Sequence, residues 1–285
     1  MLEKIINNIE EYIKYSKENG ASRVELSQEV LQQIPILPFD LSDKPNQNAA
    51  PQKQPAPRPP IAPQQPTYQK GKEHLEQNTT KTTKPEQINI SQYSSPEEGL
   101  KKIAEMVTNC TGCALGKTKT NFVLGEGSLT PEIMFIGEAP GADEDKAGRP
   151  FVGAAGQLLT KMLAKLGLPR EETYIANILK CRPPNNRKPT EDETKTCLPY
   201  LEAQIELLKP KVIVALGGTA VNSLFNSNFK ITEQRGIWMD YKGIPVMPTY
   251  HPRYLLRAQT KRWETWYDMI EVFKKINKPL PEGIK

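Results

Sequence analysis

Four cysteines and two histidines are all the soft-ligand chemistry that this 285-residue sequence carries. Cys110 and Cys113 form a Cys-x-x-Cys pair, while Cys181 and Cys197 stand apart further along the chain. A pair plus two more thiols suits four-thiolate ligation, of a structural zinc ion or of an iron–sulfur cluster. Zinc sites more often use two short pairs, so one pair with two single thiols leans toward a cluster; spacing alone leaves both open. His74 lies in a proline- and glutamine-rich stretch, whereas His251 follows an apolar run in Tyr250-His251-Pro252-Arg253-Tyr254-Leu255-Leu256-Arg257. A His before Pro is commonly a packed or capping residue, but it is also the side chain that exchanges a proton nearest neutrality. A second motif, Gly137-Glu138-Ala139-Pro140-Gly141, is by itself an ordinary turn. It leads into Asp143-Glu144-Asp145 and then Gly148-Arg149-Pro150-Phe151-Val152-Gly153. Asn177 sits inside the apolar run Tyr174 to Ile178. An amide there is costly unless hydrogen-bonded, so it is either a satisfied core group or a group aimed at a base edge.

The elements that must position these groups alternate between strand and helix. Short apolar runs at Glu132 to Ile136, Thr173 to Leu179, Lys211 to Leu216 and Pro245 to Tyr250 read as strands. Longer periodic runs at Ala155 to Leu166, Thr190 to Leu208, Thr219 to Phe225 and Lys261 to Lys275 read as helices. Ser95-Pro96-Glu97-Glu98 is a helix start, with a capping Ser, Pro in the first turn and acids beside it. This alternation predicts an α/β domain, a three-layer αβα fold around a mainly parallel four-stranded sheet. In such sheets ligands bind beyond the carboxyl ends of strands. Gly137 follows the first strand and His251 the last, so the fold brings two unrelated turns to one edge.

Composition bounds the rest. Ten of the 26 prolines fall in residues 38–94, a stretch rich also in Gln, Lys, Asn and Thr. Such a stretch cannot repay an ordering cost of about 1–2 kcal/mol per residue, so it is expected to be a disordered linker. Residues 1–37 hold a helical segment, in which Leu2, Ile5, Ile6, Ile9 and Ile13 share one face. That face docks on the same chain or on a partner. Residues 95–279 make the folded domain. No apolar run approaches a membrane span, and Met1-Leu2-Glu3-Lys4 opens no signal-peptide core, so a cytoplasmic protein is expected. Clustered cysteines in that compartment favour metal over disulfides. The net charge of +5 is compatible with a polyanionic partner without naming one. No Gly-rich phosphate loop of the usual spacing appears.

Taken together, these motifs resemble one family. From Cys110 to about Phe273 the chain is similar to the iron–sulfur-containing family 4 uracil-DNA glycosylases. The resemblance rests on Cys-Thr-Gly-Cys at 110–113, on 137–145, on 148–159, on the Tyr174-to-Pro189 segment and on 251–257. Residues 1–95 lie outside it. The resemblance implies hydrolysis of the N-glycosidic bond of uracil in single- and double-stranded DNA, the first step of base-excision repair.

It also implies roles. Phe151 would stack on the extruded uracil, and Asn177 would pair with its Watson–Crick edge. Glu144 would stand near C5 and exclude the thymine methyl. His251, with backbone N–H groups around Gly137 to Ala139, would stabilise charge on the leaving base, and Glu138 would position water or steady the sugar cation. Glu138 could instead only shape the turn by hydrogen-bonding backbone. Leu255 and Leu256 would form a wedge at the flipped position, unless one of them is core. Arg253, Arg257 and the Arg182, Arg187, Lys188 group would contact phosphates. The four cysteines would hold a [4Fe–4S] cluster of structural role. The implied partner is uracil-containing DNA, met by a monomer; the helical segment and linker of residues 1–94 read separately as a tail that recruits a repair or replication protein. Two other readings stay open: an iron–sulfur DNA-binding protein of the same fold with weak catalysis, and a glycosylase of broader base range, hypoxanthine included.

Overall fold

The computed structural model describes residues 88–281. The expected helix within residues 1–37 and most of the expected linker lie outside them. The sheet orders its strands β1-β3-β2-β4-β6-β5, with β1 (Glu126–Gly127), β2 (Ile133–Gly137), β3 (Tyr174–Asn177), β4 (Val212–Leu216), β5 (Met239–Tyr241) and β6 (Ile244–Thr249). The four central strands are parallel, as the alternating pattern predicts. Two short antiparallel edges, β1 on β3 and β5 on β6, extend the expected four-stranded sheet to six. A two-residue strand has no readable period. The β5–β6 hairpin turns on Lys242 (φ 54°) and Gly243 (φ 86°), the left-handed pair that a tight turn demands but that Lys-Gly advertises weakly.

In chain order the helices are α1 (Pro96–Thr108), α2 (Leu115–Thr118), α3 (Ala142–Ala147), α4 (Ala154–Lys165), α5 (Glu191–Leu208), α6 (Gly218–Phe225), α7 (Ile231–Gln234), α8 (Pro252–Leu255) and α9 (Arg262–Lys275). Ser95 caps α1 by accepting from the Glu98 N–H, and Thr190 with Glu193 forms a reciprocal capping box at α5. Every residue of β2 and β4 is buried, so helices cover both faces of the sheet. Met134, Ile136, Ile213 and Ala215 join Leu201, Ile205, Leu208 and Val221 of α5 and α6 in one core cluster. The alternate residues Ile133, Phe135, Val212 and Val214 are equally buried on the opposite face, and α9 packs on β6. None of the described helices is long and apolar enough to cross a membrane.

For function, register is the important outcome. Gly137 pairs with Asn177 at the carboxyl ends of β2 and β3, and Leu216 with Thr249 at those of β4 and β6. The turns carrying Glu138, Asn177 and His251 therefore open on one edge.

Candidate active site and cysteine cavity

At that edge three residues converge. A Cβ built on Gly137 would lie 2.4 Å from Asn177 Oδ1 and 2.6 Å from Phe151 Cζ, so only glycine leaves the space between amide and ring. Asn177 is 2 % exposed, and its Oδ1 is buried with no hydrogen-bond partner among the described residues. A buried acceptor left in that state costs about 1–3 kcal/mol. Such an oxygen at a strand end is a ready acceptor for a donor brought by a ligand. Phe151 flanks it at φ 51°, a conformation rare for a bulky residue, and stacks on the His251 ring at 5.6 Å with an interplanar angle of 28°. Arg170 holds that turn, its Nη1 donating to the Phe151 carbonyl at 2.9 Å and its Nη2 to the Pro150 carbonyl. Glu126 accepts from both Arg170 and Arg149, and Gly156 lets the Phe151 carbonyl approach the start of α4.

Glu144 braces the pocket's rim. One carboxylate oxygen accepts from the N–H groups of Val152 and Gly153, each at 2.9 Å, and the other from the Gly141 N–H at 3.0 Å. The Gly141 and Val152–Gly153 turns are thus fastened to each other through a single carboxylate. Glu138, by contrast, is half-buried, and its carboxylate has no hydrogen-bond or ion-pair partner among the described residues. The backbone-bonding alternative for it finds no such bond. Ala139 packs against the core and offers only its backbone.

His251 is the N-cap of α8, its Nδ1 accepting from the Arg253 N–H at 3.0 Å. That bond assigns the acceptor to Nδ1 and leaves the proton on Nε2. Burial, with the nearby Arg253 charge adding to it, lowers the imidazole pKa from 6.5 to about 4. The ring is therefore neutral at pH 7, a fixed one-proton donor. Gly217 (φ 88°) turns tightly beside it, since a Cβ there would sit 3.0 Å from His251 Cβ. Behind the strand end, Asp268 accepts from the Thr249 hydroxyl at 2.6 Å and from Arg235 Nε at 3.1 Å, while Tyr250 donates to Glu264 at 3.1 Å. This network locks the two residues that precede His251. Arg170, Arg235, Asp268 and Gly217 went unread in the sequence, because their partners lie tens of residues away.

On the far side of β3, Cys110, Cys113, Cys181 and Cys197 line one cavity with Val107, Leu115 and Lys180. All four thiols are free. Backbone N–H groups of Leu115 and Gly116 point at Cys113 sulfur, and that of Lys180 at Cys197 sulfur at 3.2 Å. Burial pushes the Cys181 thiol up to about 11 and Cys197 to about 12, so as bare thiols they keep their protons. Lys180 is fully buried, with its ammonium donating only to the Asn177 carbonyl and to Gln204 Oε1 among the described residues. A buried cation whose partners are neutral calls for a negative group close by. Four thiolates around a metal centre carry net negative charge, so the donor set and its neighbour fit such a group. No group of three or more His, Cys, Asp or Glu side chains among the described residues converges tightly enough for a single ion. Tetrahedral zinc at about 2.3 Å from each sulfur brings the thiols within roughly 4 Å of one another.

Residues 124–280 match the uracil DNA glycosylase superfamily. A type-4 uracil-DNA glycosylase of Thermotoga maritima is 51% identical over 166 residues, covering 58% of this chain and 86% of the relative. Type-4 enzymes of Sulfurisphaera tokodaii and Pyrobaculum aerophilum are 52% and 44% identical, covering 54% and 61% of this chain and 74% and 93% of theirs. The chain belongs to the type-4 uracil-DNA glycosylases. Both family motif turns, at Gly137 and at His251, fall on the shared edge described above, and the cysteine cavity is lined in part by Leu179, Lys180 and Cys181, which follow β3.

One expectation for a glycosylase surface needs correction. Leu255 is 0% exposed and belongs to the core under α8, so it cannot enter DNA. Of the leucine pair only Leu256, 37% exposed, faces outward, beside the exposed Arg253 and Arg257. Arg187 is bonded at both ends of its guanidinium to Glu193, at 2.6 and 2.8 Å, which fixes the loop into the α5 capping box. Arg187 and Lys188 are exposed and Arg182 partly so.

Proposed function

We infer that this chain is a uracil-DNA glycosylase acting on single- and double-stranded DNA to begin base-excision repair. The observation that carries the reading is the partnerless Asn177 oxygen facing Phe151 across Gly137, because uracil supplies what that site lacks: a planar ring and an N3–H donor. A base enters only after leaving the stack, at a cost of a few kcal/mol repaid by the fitted pocket. Phe151 stacks on the ring, and Asn177 accepts from N3–H.

As the N-glycosidic bond breaks, negative charge builds on the base, and neutral His251 donates from Nε2 to it. The N–H groups of the Gly137-to-Ala139 turn face the same charge. Fixed donors of this kind commonly contribute about 10²–10³ in rate. Water adds to the sugar carbon and its proton leaves to solvent or to Glu138, whose carboxylate has no partner among the described residues and orients the water. Thymine differs from uracil by one methyl, and attraction to a methyl discriminates by only about 1–3 kcal/mol. A rim that cannot give way is the stronger device. Glu144, pinned by three N–H groups, supplies that rigidity near C5.

Cys110, Cys113, Cys181 and Cys197 hold a [4Fe–4S] cluster, which supplies cross-linking of the chain; the hydrolysis moves no electrons. A reducing, cytoplasmic setting keeps such cysteines available as metal ligands. Leu256 fills the vacated base position while Arg253 and Arg257 meet phosphates. The reading is tested by uracil release from a single-uracil oligonucleotide, with thymine and hypoxanthine oligonucleotides beside it. Release confined to uracil is expected. Release of hypoxanthine at a comparable rate would favour the broader enzyme, and DNA binding without release of any base would favour the binding-protein reading.

A further inference from the structure

Lys180 touches both sites at once. Its backbone N–H donates to Cys197 sulfur at 3.2 Å, and its ammonium donates to the Asn177 carbonyl at 2.9 Å and to Gln204 Oε1 at 2.6 Å. Gln204, on α5, passes its amide N–H groups to the Leu124 carbonyl and the Tyr174 hydroxyl, each at 3.0 Å. The residues between are paired as well. Ile178 and Leu179 donate to the carbonyls of Gly137 and Glu138, and Val123 donates to that of Lys180. Segment 177–181 is therefore bonded to the catalytic turn on one side and to a cysteine on the other. None of the described carboxylates bonds to Lys180. Its charge is compensated by whatever net negative group the cysteine cavity holds.

We propose that Lys180 is a positioning residue that couples the cysteine centre to the uracil pocket: the charge of the liganded thiolates keeps the ammonium in place, and the ammonium keeps Asn177 aimed at the base. This rests on the functional reading above for its ligand, uracil, and on the four-thiolate centre for its counter-charge. The ammonium holds the Asn177 backbone carbonyl and the Lys180 backbone N–H holds the Cys197 sulfur, so one residue is bonded to both sites. A neutral replacement of similar length loosens the reader and removes the cation that the cluster leans on.

The test compares the full-length, cluster-loaded protein with Lys180→Met and, as a milder change in case that variant folds poorly, Gln204→Leu. Three properties are followed: inhibition by free uracil, the rate at which visible cluster absorbance bleaches in air, and backbone amide exchange across residues 174–181. We expect Lys180→Met to weaken uracil inhibition by about tenfold, to bleach several-fold faster, and to exchange faster at 178 and 179, with affinity for uracil-free duplex unchanged. Gln204→Leu shifts uracil inhibition and exchange in the same direction by less. Unchanged uracil inhibition and exchange in a fast-bleaching Lys180→Met would overturn the coupling, leaving a lysine that serves the cysteines alone. Wild-type bleaching in both variants would overturn its other half. Amide exchange needs no turnover, so wild-type protein inactive on uracil would sink the functional reading while exchange still decides this one.

Discussion

His251 works as a neutral imidazole, and the sign of its shift makes that testable. Folding lowers its pKa from 6.5 to about 4, through burial first and the Arg253 charge second. Between those values the unfolded chain binds a proton that the folded chain refuses, so stability falls as pH drops through that window. The ring meanwhile stays neutral down to about pH 4, with Nδ1 accepting from the Arg253 N–H. An NMR titration of the ring, assigned through His251→Gln, is expected to show no protonation until well below pH 6; a midpoint near 6.5 would refute the neutral-donor role. In single turnover, His251→Ala should slow uracil release by about 10²–10³ while binding to uracil-free duplex is unaffected. Asn177→Ala is a different lesion. It deletes the acceptor and should raise the inhibition constant for free uracil at least as steeply as it slows release.

A single turn of helix separates two leucines by fate. In α8 the direction of each side chain is set by packing on α4 and by the Pro252 start, so Leu255 turns inward and Leu256 outward. Leu255→Ala is expected to destabilise the fold by about 2–5 kcal/mol through the cavity it leaves. Leu256→Ala should leave thermal stability within about 0.5 kcal/mol and slow release from duplex more than from single strands, which need no wedge. Equal losses on both substrates would remove the wedge from the mechanism. The sequence could not separate the two leucines, because a four-residue helix offers no period to read. The same limit hid β1, two residues long, while the apolar runs of β2 and β4 were legible to within a residue of their ends. Glycine, asparagine and histidine at the site were legible as well, since each is costly or unusual where it stands. Arg170 and Asp268 were not, because a long-range bond to the Phe151 carbonyl or the Thr249 hydroxyl leaves no local trace.

At the scale of the molecule, the proposed cysteine centre would cross-link distant stretches of chain. Cys110 and Cys113 follow α1, Cys181 follows β3, and Cys197 lies within α5. Joining Cys113 to Cys181 closes a loop of about 70 residues, which in the chain-entropy picture of a covalent bridge stabilises the fold by about 4 kcal/mol. For a folded body of this size that corresponds to a fall in Tm of roughly 10 °C when the link is lost. The sheet keeps its core without the centre, because β2 and β4 are buried against α5 and α6 by apolar residues alone. The α1 end depends on it more, since α1 buries only Leu100, Ile103 and Val107 besides Gly99. Cys197→Ala, or removal of the metal by a chelator, should therefore lower Tm by that amount and strip amide protection from α1 before β2 or β4. Calorimetry paired with hydrogen exchange measures both quantities. An unchanged Tm would mean that the thiols hold nothing, whereas uniform loss of protection would make the centre a condition for the whole fold rather than a clasp on one end.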